Sequence, residues 1–224
     1  MASLLPTGSV SWLYYSDRLT ELPLGVFAIA IATVILPTLS GQRARADDPA
    51  FASTLSWAIR SVLLIASPAT AALAVLAEPL LATLFQYGAF SGDDRAMAAA
   101  SLRAYTLGLG AFMLVKALAP GFYAREDMRT PVRIGIIAMV ANMVLNVAFV
   151  FPLMWWLNLG HVGLALATSV SAWLNALLLF RGLRRDAVLP QGSLPFKWLV
   201  QVTAATAAML AILLWLMPDH AMWA

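Results

Sequence analysis

The sequence predicts an all-α membrane protein, a bundle of six transmembrane helices, from its composition and from the lengths of its apolar segments. Of its 224 residues, 62% are hydrophobic and only 11% are charged, whereas a soluble domain carries about 25% charged residues. A helix needs about 20 apolar residues to cross about 30 Å of hydrocarbon, and six segments reach that length. A soluble fold is therefore excluded.

The six predicted helices are separated by short polar connections. They cover residues 10–40, 54–85, 94–118, 130–151, 161–183 and 195–217. The first two are longer than a crossing requires and contain Pro23, Pro37, Pro68 and Pro79, so we expect both to be bent, because proline removes a backbone donor. Glu78 interrupts the second apolar segment and is a candidate for its end.

The fourth and fifth helices lie in one run without charged residues, from Ile134 to Phe180. A run of 47 residues is too long for one crossing. Pro152, Asn158 and Gly160 supply a break, which predicts a tight helical hairpin. A barrel is disfavoured because residues 204–216 are continuously apolar or small, without the alternation that barrel strands show.

Basic residues are concentrated in alternate loops, which predicts the orientation of the chain. Eleven of the 14 Lys and Arg residues lie in or beside the odd-numbered loops. These are Arg43, Arg45, Arg60, Lys116, Arg125, Arg129, Arg133, Arg181, Arg184, Arg185 and Lys197. The positive-inside rule places those loops in the cytoplasm and both chain ends outside. Because no signal peptide precedes the first span, we expect a fragment that lacks upstream helices.

Composition also limits the chemistry. The chain has no cysteine, which excludes disulfides, thiol nucleophiles and Cys-ligated metals, and His161 and His220 cannot form a metal site alone. Phosphate-binding and hydrolase motifs such as GxxxxGK[ST], GxSxG and HExxH are absent from the sequence. The net charge of +3 resides in loops between apolar runs, which indicates membrane topology rather than nucleic-acid binding. We expect no enzyme and no nucleic-acid partner.

Asp17, Arg18 and Glu21 form a charged cluster at the head of a long apolar helix. The next residues, Leu22 to Gln42, carry no charge. Arg18 and Glu21 are three residues apart, so they share a helix face and can pair. If the helix begins near Val10, Arg18 lies about 12 Å along it, at a depth where a charge costs roughly 2.5 to more than 10 kcal/mol.

Two interpretations of this cluster remain open. Arg18 can extend to the membrane surface beside Trp12, Tyr14 and Tyr15, as interfacial arginines do. Alternatively, its guanidinium faces a polar cavity and binds an anionic head group, because its planar fork donates two hydrogen bonds to phosphate and stays charged.

A second polar group lies in the fourth and fifth helices. Asn142 and Asn146 are four residues apart on one face, and Thr168 and Asn175 lie in the next helix. Their oxygens can coordinate Na⁺, or the side chains can simply bond one helix to another.

Several motifs together resemble a known family. They are residues 8–26 (GSVSWLYYSDRLTELPLGV), 35–40 (ILPTLS), 84–90 (LFQYGAF), 118–127 (LAPGFYARED) and 130–132 (TPV). In this order they are similar to the MurJ/MviN family of lipid II flippases.

The resemblance implies a MATE-like transporter of the MOP superfamily in the bacterial inner membrane. Such proteins have two six-helix lobes around a central cavity and move lipid II, an undecaprenyl-diphosphate-linked peptidoglycan precursor, by alternating access. By resemblance, Arg18 is a cavity arginine and Glu21 an acidic position of the same motif; with Asp17 they are the substrate-binding candidates. Some members bind Na⁺, near positions that match Asn142, Asn146 and, less closely, Thr168.

The same resemblance predicts that residues 1–185 are five spans of the C-terminal lobe and that residues 186–224 are an additional transmembrane helix. The expected partners are lipid II, membrane lipid and the N-terminal lobe, which lies outside this chain; the fragment alone is not expected to transport. Two alternatives stay open. One is an exporter of cationic drugs or another polyprenyl-linked sugar, with Asp17 and Glu21 binding the cation. The other is a non-transporting membrane module.

Overall fold

The computed structural model describes residues 5–88, 90–189 and 195–216, and the regular structure in these ranges is helical. The helices are α1 (Ser9–Pro23), α2 (Ile29–Ala44), α3 (Asp48–Val75), α4 (Ala77–Phe85), α5 (Gly92–Tyr123), α6 (Arg129–Leu157), α7 (Gly160–Arg185) and α8 (Phe196–Leu216). In this part of the chain, six helical segments are long and apolar enough to cross a membrane. The predicted all-α class and its six spans are confirmed.

The first span is one helix with an irregular turn. A π-helical turn, Leu24–Ala28, joins α1 to α2, so that Ser9–Ala44 forms a single candidate span. Pro23 directly precedes this turn; proline lacks a backbone donor and its ring disturbs the preceding turn. A π-turn is a recognised cause of helix kinks, so the expected irregularity lies at Pro23.

The second span ends earlier than the sequence predicted. We expected one helix over residues 54–85, but α3 ends at Val75 and α4 begins at Ala77. Leu76 between them has φ −84° and ψ 9°, outside the helical range. Pro79 explains the break, because in a continuous helix its missing N–H would have bonded to the carbonyl of Val75. The break lies just before Glu78, the residue considered as the helix end.

The fourth and fifth spans form the predicted hairpin. Asn158 ends α6 in the left-handed conformation, with φ 56°, and α7 begins two residues later at Gly160. The two helices approach closely, since a Cβ on Gly163 would lie 2.9 Å from the carbonyl carbon of Phe149.

Helix α5 is the centre of the bundle and packs against α1, α2, α3, α4 and α7. The main core is formed by large side chains from α3, α5 and α7, among them Leu55, Leu109, Met113, Phe122 and Leu183, all fully buried. Helix α8 packs against α3 and leaves most of its surface exposed. The division of the chain at residue 185 stays a prediction, and His220 lies outside the described residues.

The two ends of the bundle can be identified from side-chain contacts. On one, Trp12 at the start of α1 bonds to Asp94 at the start of α5; we call it the Ser9 side. On the other, which we call the Arg43 side, a cavity of about 250 Å³ is lined by two ion pairs. These are Arg43–Asp48 at 3.3 Å and Arg125–Asp186 at 2.9 Å.

Candidate functional site

The charged cluster lies on the exposed face of α1. A nitrogen of the Arg18 guanidinium (Nη1) is 2.9 Å from Oε2 of Glu21, and these side chains are 55% and 50% exposed. The centre of the guanidinium also lies 4.9 Å from the centroid of the Tyr14 ring, within cation–π range. The predicted pairing of Arg18 with Glu21 is confirmed, and Tyr14 is a second contact of the Arg18 guanidinium.

The opposite face of α1 fixes this orientation. Ser16, Leu19 and Thr20 are buried, and the Ser16 hydroxyl oxygen is 2.8 Å from the carbonyl oxygen of Ala98 in α5. Because these buried residues face α5, Arg18 and Glu21 point away from the bundle. Arg18 is therefore open to any molecule that reaches this face.

Asp17 lies beside the ion pair without joining it. It is exposed, and among the residues that the structure describes it forms no ion pair. Arg18 pairs with Glu21 instead, so the cluster contains one paired and one unpaired carboxylate. The structure thus brings together the three substrate-binding candidates, Asp17, Arg18 and Glu21, on one surface.

Two of the aromatic residues near the cluster, Trp12 and Tyr15, contact other helices. Nε1 of Trp12 donates a hydrogen bond of 2.7 Å to Asp94, and the Trp12 ring meets that of buried His161 edge-on at 4.9 Å. Tyr15 packs against Phe85, with ring centroids 4.7 Å apart. Two of the three aromatics that could form an interfacial belt therefore attach α1 to its neighbours. These contacts could not be predicted from the sequence, because they depend on how the helices are rotated against one another.

The second polar group forms a chain of hydrogen bonds. Nδ2 of Asn146 donates to Oδ1 of Asn142 at 3.0 Å, and Nδ2 of Asn142 donates to the hydroxyl of Ser171 in α7 at 3.2 Å. Ser171 in turn donates to the backbone carbonyl of Thr168 at 2.9 Å. The bonding between helices that the sequence suggested is therefore present. Ser171 was missed, since one more serine in an apolar helix is not distinctive.

This polar group borders a cavity of about 400 Å³ between the π-turn, α5, α6 and α7. Its polar lining consists of Lys116, Asn142, Thr168, Ser171 and Asn175. The third predicted helix ended at residue 118, but α5 continues to Tyr123, so Lys116 lies two turns before the end of its helix. Its positive charge disfavours a cation at its end of the cavity.

Two oxygen atoms of this group have free acceptor capacity. Oδ1 of Asn146 is buried and has no hydrogen-bond partner among the described residues. The Thr168 hydroxyl donates to the Leu164 carbonyl at 2.9 Å, which leaves its lone pairs available. Carbonyl and hydroxyl oxygens are the ligand types that hard cations prefer, and Asn142, Asn146 and Thr168 carry such oxygens.

Comparison with known proteins gives consistent matches over the whole chain. The family model described as lipid II flippase MurJ matches residues 1–224. A probable lipid II flippase MurJ of Vibrio cholerae serotype O1 is 50% identical over 223 residues, covering 100% of this chain and 41% of that protein. The lipid II flippase MurJ of Burkholderia cenocepacia is 40% identical over 215 residues, covering 96% of this chain and 40% of the relative.

A solved structure shares the fold. Lipid II flippase MurJ in an inward closed conformation superposes with a TM-score of 0.82 and 27% sequence identity, over 99% of this chain and 44% of the solved chain. The chain spans about two fifths of the length of the curated relatives that it matches.

Proposed function

Because the chain belongs to the lipid II flippase MurJ family, whose model matches residues 1–224, we propose that it forms part of a lipid II flippase. The observation that carries the proposal is the half-exposed Arg18 on α1, paired with Glu21 and stacked on Tyr14. A charge held on the surface of a membrane helix needs a polar surrounding. The transported lipid's diphosphate is an anion that this guanidinium can recognise.

The roles of the three charged residues follow from their geometry. Arg18 binds the diphosphate, because a guanidinium offers two parallel donors to phosphate oxygens. Glu21 and Tyr14 orient the fork before the lipid arrives. Asp17, whose carboxylate is not in an ion pair, accepts hydrogen bonds from polar groups of the head group. The lipid changes sides without a covalent step, so these residues bind and orient but do not catalyse.

We propose the bacterial inner membrane as the location, with the Ser9 side in the periplasm and both chain ends on that side. The Arg43 side carries most of the basic loop residues, as cytoplasmic loops do. The exposed face of α1 then points toward the N-terminal lobe of the complete transporter, and the two lobes would enclose the central cavity between them. Membrane lipid surrounds the remaining surface.

A chimeric transporter tests this function. This chain replaces the matched segment of the Vibrio cholerae relative, to which it is 50% identical, in cells depleted of their own lipid II flippase. We expect growth comparable to that with the intact relative, while the relative without the segment gives none. Lack of growth, with the chimera present in the membrane in equal amount, would contradict the proposal.

We further propose that Asn142, Asn146 and Thr168 hold Na⁺. The support is the buried Oδ1 of Asn146, which has no hydrogen-bond partner among the described residues, and the Asn142 side chain that bonds to Asn146. A bound ion stabilises the folded state in proportion to the logarithm of its concentration above Kd. The purified chain should therefore unfold at higher temperature in NaCl than in KCl at equal ionic strength.

The matched variants for the Na⁺ proposal are Asn146→Leu in the site and Thr203→Val on the exposed surface of α8. Asn146→Leu should abolish the difference between NaCl and KCl, and Thr203→Val should retain it. The same difference in Asn146→Leu and the unaltered chain would refute the site.

A further inference from the structure

Arg103 connects the two parts of the interrupted second span. Its Nη2 lies 2.9 Å from Oε1 of Glu78, in the first turn of α4. Its Nε donates to the backbone carbonyl of Ala74, near the end of α3, at 3.3 Å. One guanidinium on α5 therefore contacts both sides of the break at Leu76.

The break creates groups that need such a partner. In a continuous helix the carbonyl of Ala74 would accept from the backbone N–H of Glu78, but the last carbonyls of a helix have no partner within it. In a membrane, an unsatisfied backbone group is strongly destabilising. A cation near the end of α3 and a carboxylate at the start of α4 also match the dipoles of the two helices. Arg103 and Glu78 thus stabilise the two helix ends that meet at the break.

This ion pair lies at membrane depth. Helix α5 has 32 residues and is about 48 Å long, while the hydrocarbon layer is about 30 Å thick. Arg103 is about 16 Å from the start of α5 at Gly92, inside that layer if the helix extends equally on both sides. Its side chain is 46% exposed, and that of Glu78 33% exposed. Paired charges at this depth usually serve function.

Helix α4 carries the effect of this pair to α1. Phe85 at the end of α4 packs against Tyr15, with ring centroids 4.7 Å apart. Leu19 of α1 shares a buried cluster with Ala77 and Leu81 of α4. Tyr15 is next to Tyr14, on which Arg18 stacks. The position of α4 therefore contributes, together with the contacts of α1 with α5, to the position of the Arg18-bearing part of α1.

We propose that Arg103 is a positioning residue for the substrate site: it closes the break between α3 and α4 and so keeps the Arg18-bearing part of α1 in place. The chain can bend at this break. The contacts of Arg103 with Glu78 and Ala74, which we call the clasp, hold the two helices together there. The proposed effect on transport rests on the proposed function of Arg18, whereas the clasp itself is a property of the bundle.

A distance measurement tests the clasp without any substrate. Because the chain has no cysteine, spin labels can be attached uniquely at Ser53→Cys on α3 and Thr83→Cys on α4, both exposed. Arg103→Gln should broaden the distribution of the distance between the labels. Arg103→Lys, which keeps the charge opposite Glu78, should retain a narrow distribution, as should the control Arg133→Gln on exposed α6. An unchanged distribution in Arg103→Gln would overturn the clasp.

The Vibrio chimera tests the positioning role. Arg103→Gln should slow translocation about 2- to 30-fold, the range for residues that act through an intervening element, and weaken the affinity for lipid II by less than Arg18→Ala does. Arg103→Lys should restore most of the rate. A normal rate in Arg103→Gln would overturn the positioning role even if the label distance changes. If the unaltered chimera does not transport, the proposed function fails, and the label distances still decide on the clasp.

Discussion

Arg18 owes its surroundings to spacing along one helix. Glu21 is three residues ahead of it and Tyr14 four behind, so both lie on its face, and both touch it. This part of the site was accessible to sequence reasoning, because it depends only on the 3.6-residue period. The hydrogen bonds of Trp12 with Asp94 and of Asn142 with Ser171 could not be predicted. Each joins two helices, and no local sequence pattern specifies how those helices are rotated against each other.

Substitution of Arg18 tests its role in binding. In the purified chimera, Arg18→Ala should weaken lipid II binding about 10- to 100-fold, because hydrogen bonds to charged groups contribute about 1.5–3 kcal/mol each. Arg18→Lys should lose less, since it keeps the charge but not the fork. The affinity for lipid II is the quantity to measure, with Arg133→Ala as the control. Equal affinities of Arg18→Ala and the control would show that Arg18 does not bind the lipid.

At the scale of the elements, the apolar runs predicted the helices but not their full lengths. Helix α5 starts at Gly92 rather than residue 94 and ends at Tyr123 rather than 118. Ser91 and Asp94 form a capping box that starts it, and its last turn contains Pro120 and Gly121, which in a sequence usually indicate a helix end. The break at Leu76 was only partly foreseen, because prolines are tolerated in membrane helices whose freed groups find other partners.

Close packing of α5 on α7 gives a prediction about glycines. A Cβ on Gly108 would lie 2.8 Å from Cα of Ser169, whereas one on Gly135 would have no neighbour within 4 Å. Gly108→Ala should therefore lower the free energy of unfolding by about 1–3 kcal/mol through overpacking. Gly135→Ala should leave it unchanged or raise it slightly, since alanine is the better helix former. Thermal unfolding in detergent measures both, and equal stabilities would contradict the packing of α5 on α7.

The carboxylate of Asp127, just before α6, predicts how the stability of the fold changes at low pH. The Thr130 hydroxyl and backbone N–H, with further help from the Arg129 N–H, hold the pKa of the Asp127 carboxyl below its usual 3.8. A lowered folded-state pKa stabilises the fold above the unfolded value, near 3.9, and this contribution is lost as pH falls through the folded-state pKa. Asp127→Asn should unfold at lower temperature than the unaltered chain at pH 7, and the difference should shrink as pH falls below the unfolded-state pKa and disappear below the folded-state pKa. A difference independent of pH would show that the charge is not responsible.

At the scale of the whole molecule, composition and loop charge were sufficient to predict a polytopic bundle, because the membrane permits few architectures. The arrangement of helices around α5 was not predictable from periodicity, since nearly every face of these helices is apolar.

The orientation of the chain in the membrane stays a prediction that single cysteines can test. A membrane-impermeant thiol reagent added to intact spheroplasts should label Thr7→Cys on the Ser9 side and spare Ser40→Cys on the Arg43 side. The reverse labelling would show that the orientation is wrong.

The most direct test of the central claim is the amount of lipid II that reaches the outer leaflet, measured with a probe that cannot cross the membrane. In cells depleted of their own flippase, the chimera that carries this chain should restore outer-leaflet lipid II, and its Arg18→Ala variant, present at the same level, should not. Full restoration by Arg18→Ala would contradict the claim that this guanidinium binds the lipid on its way across.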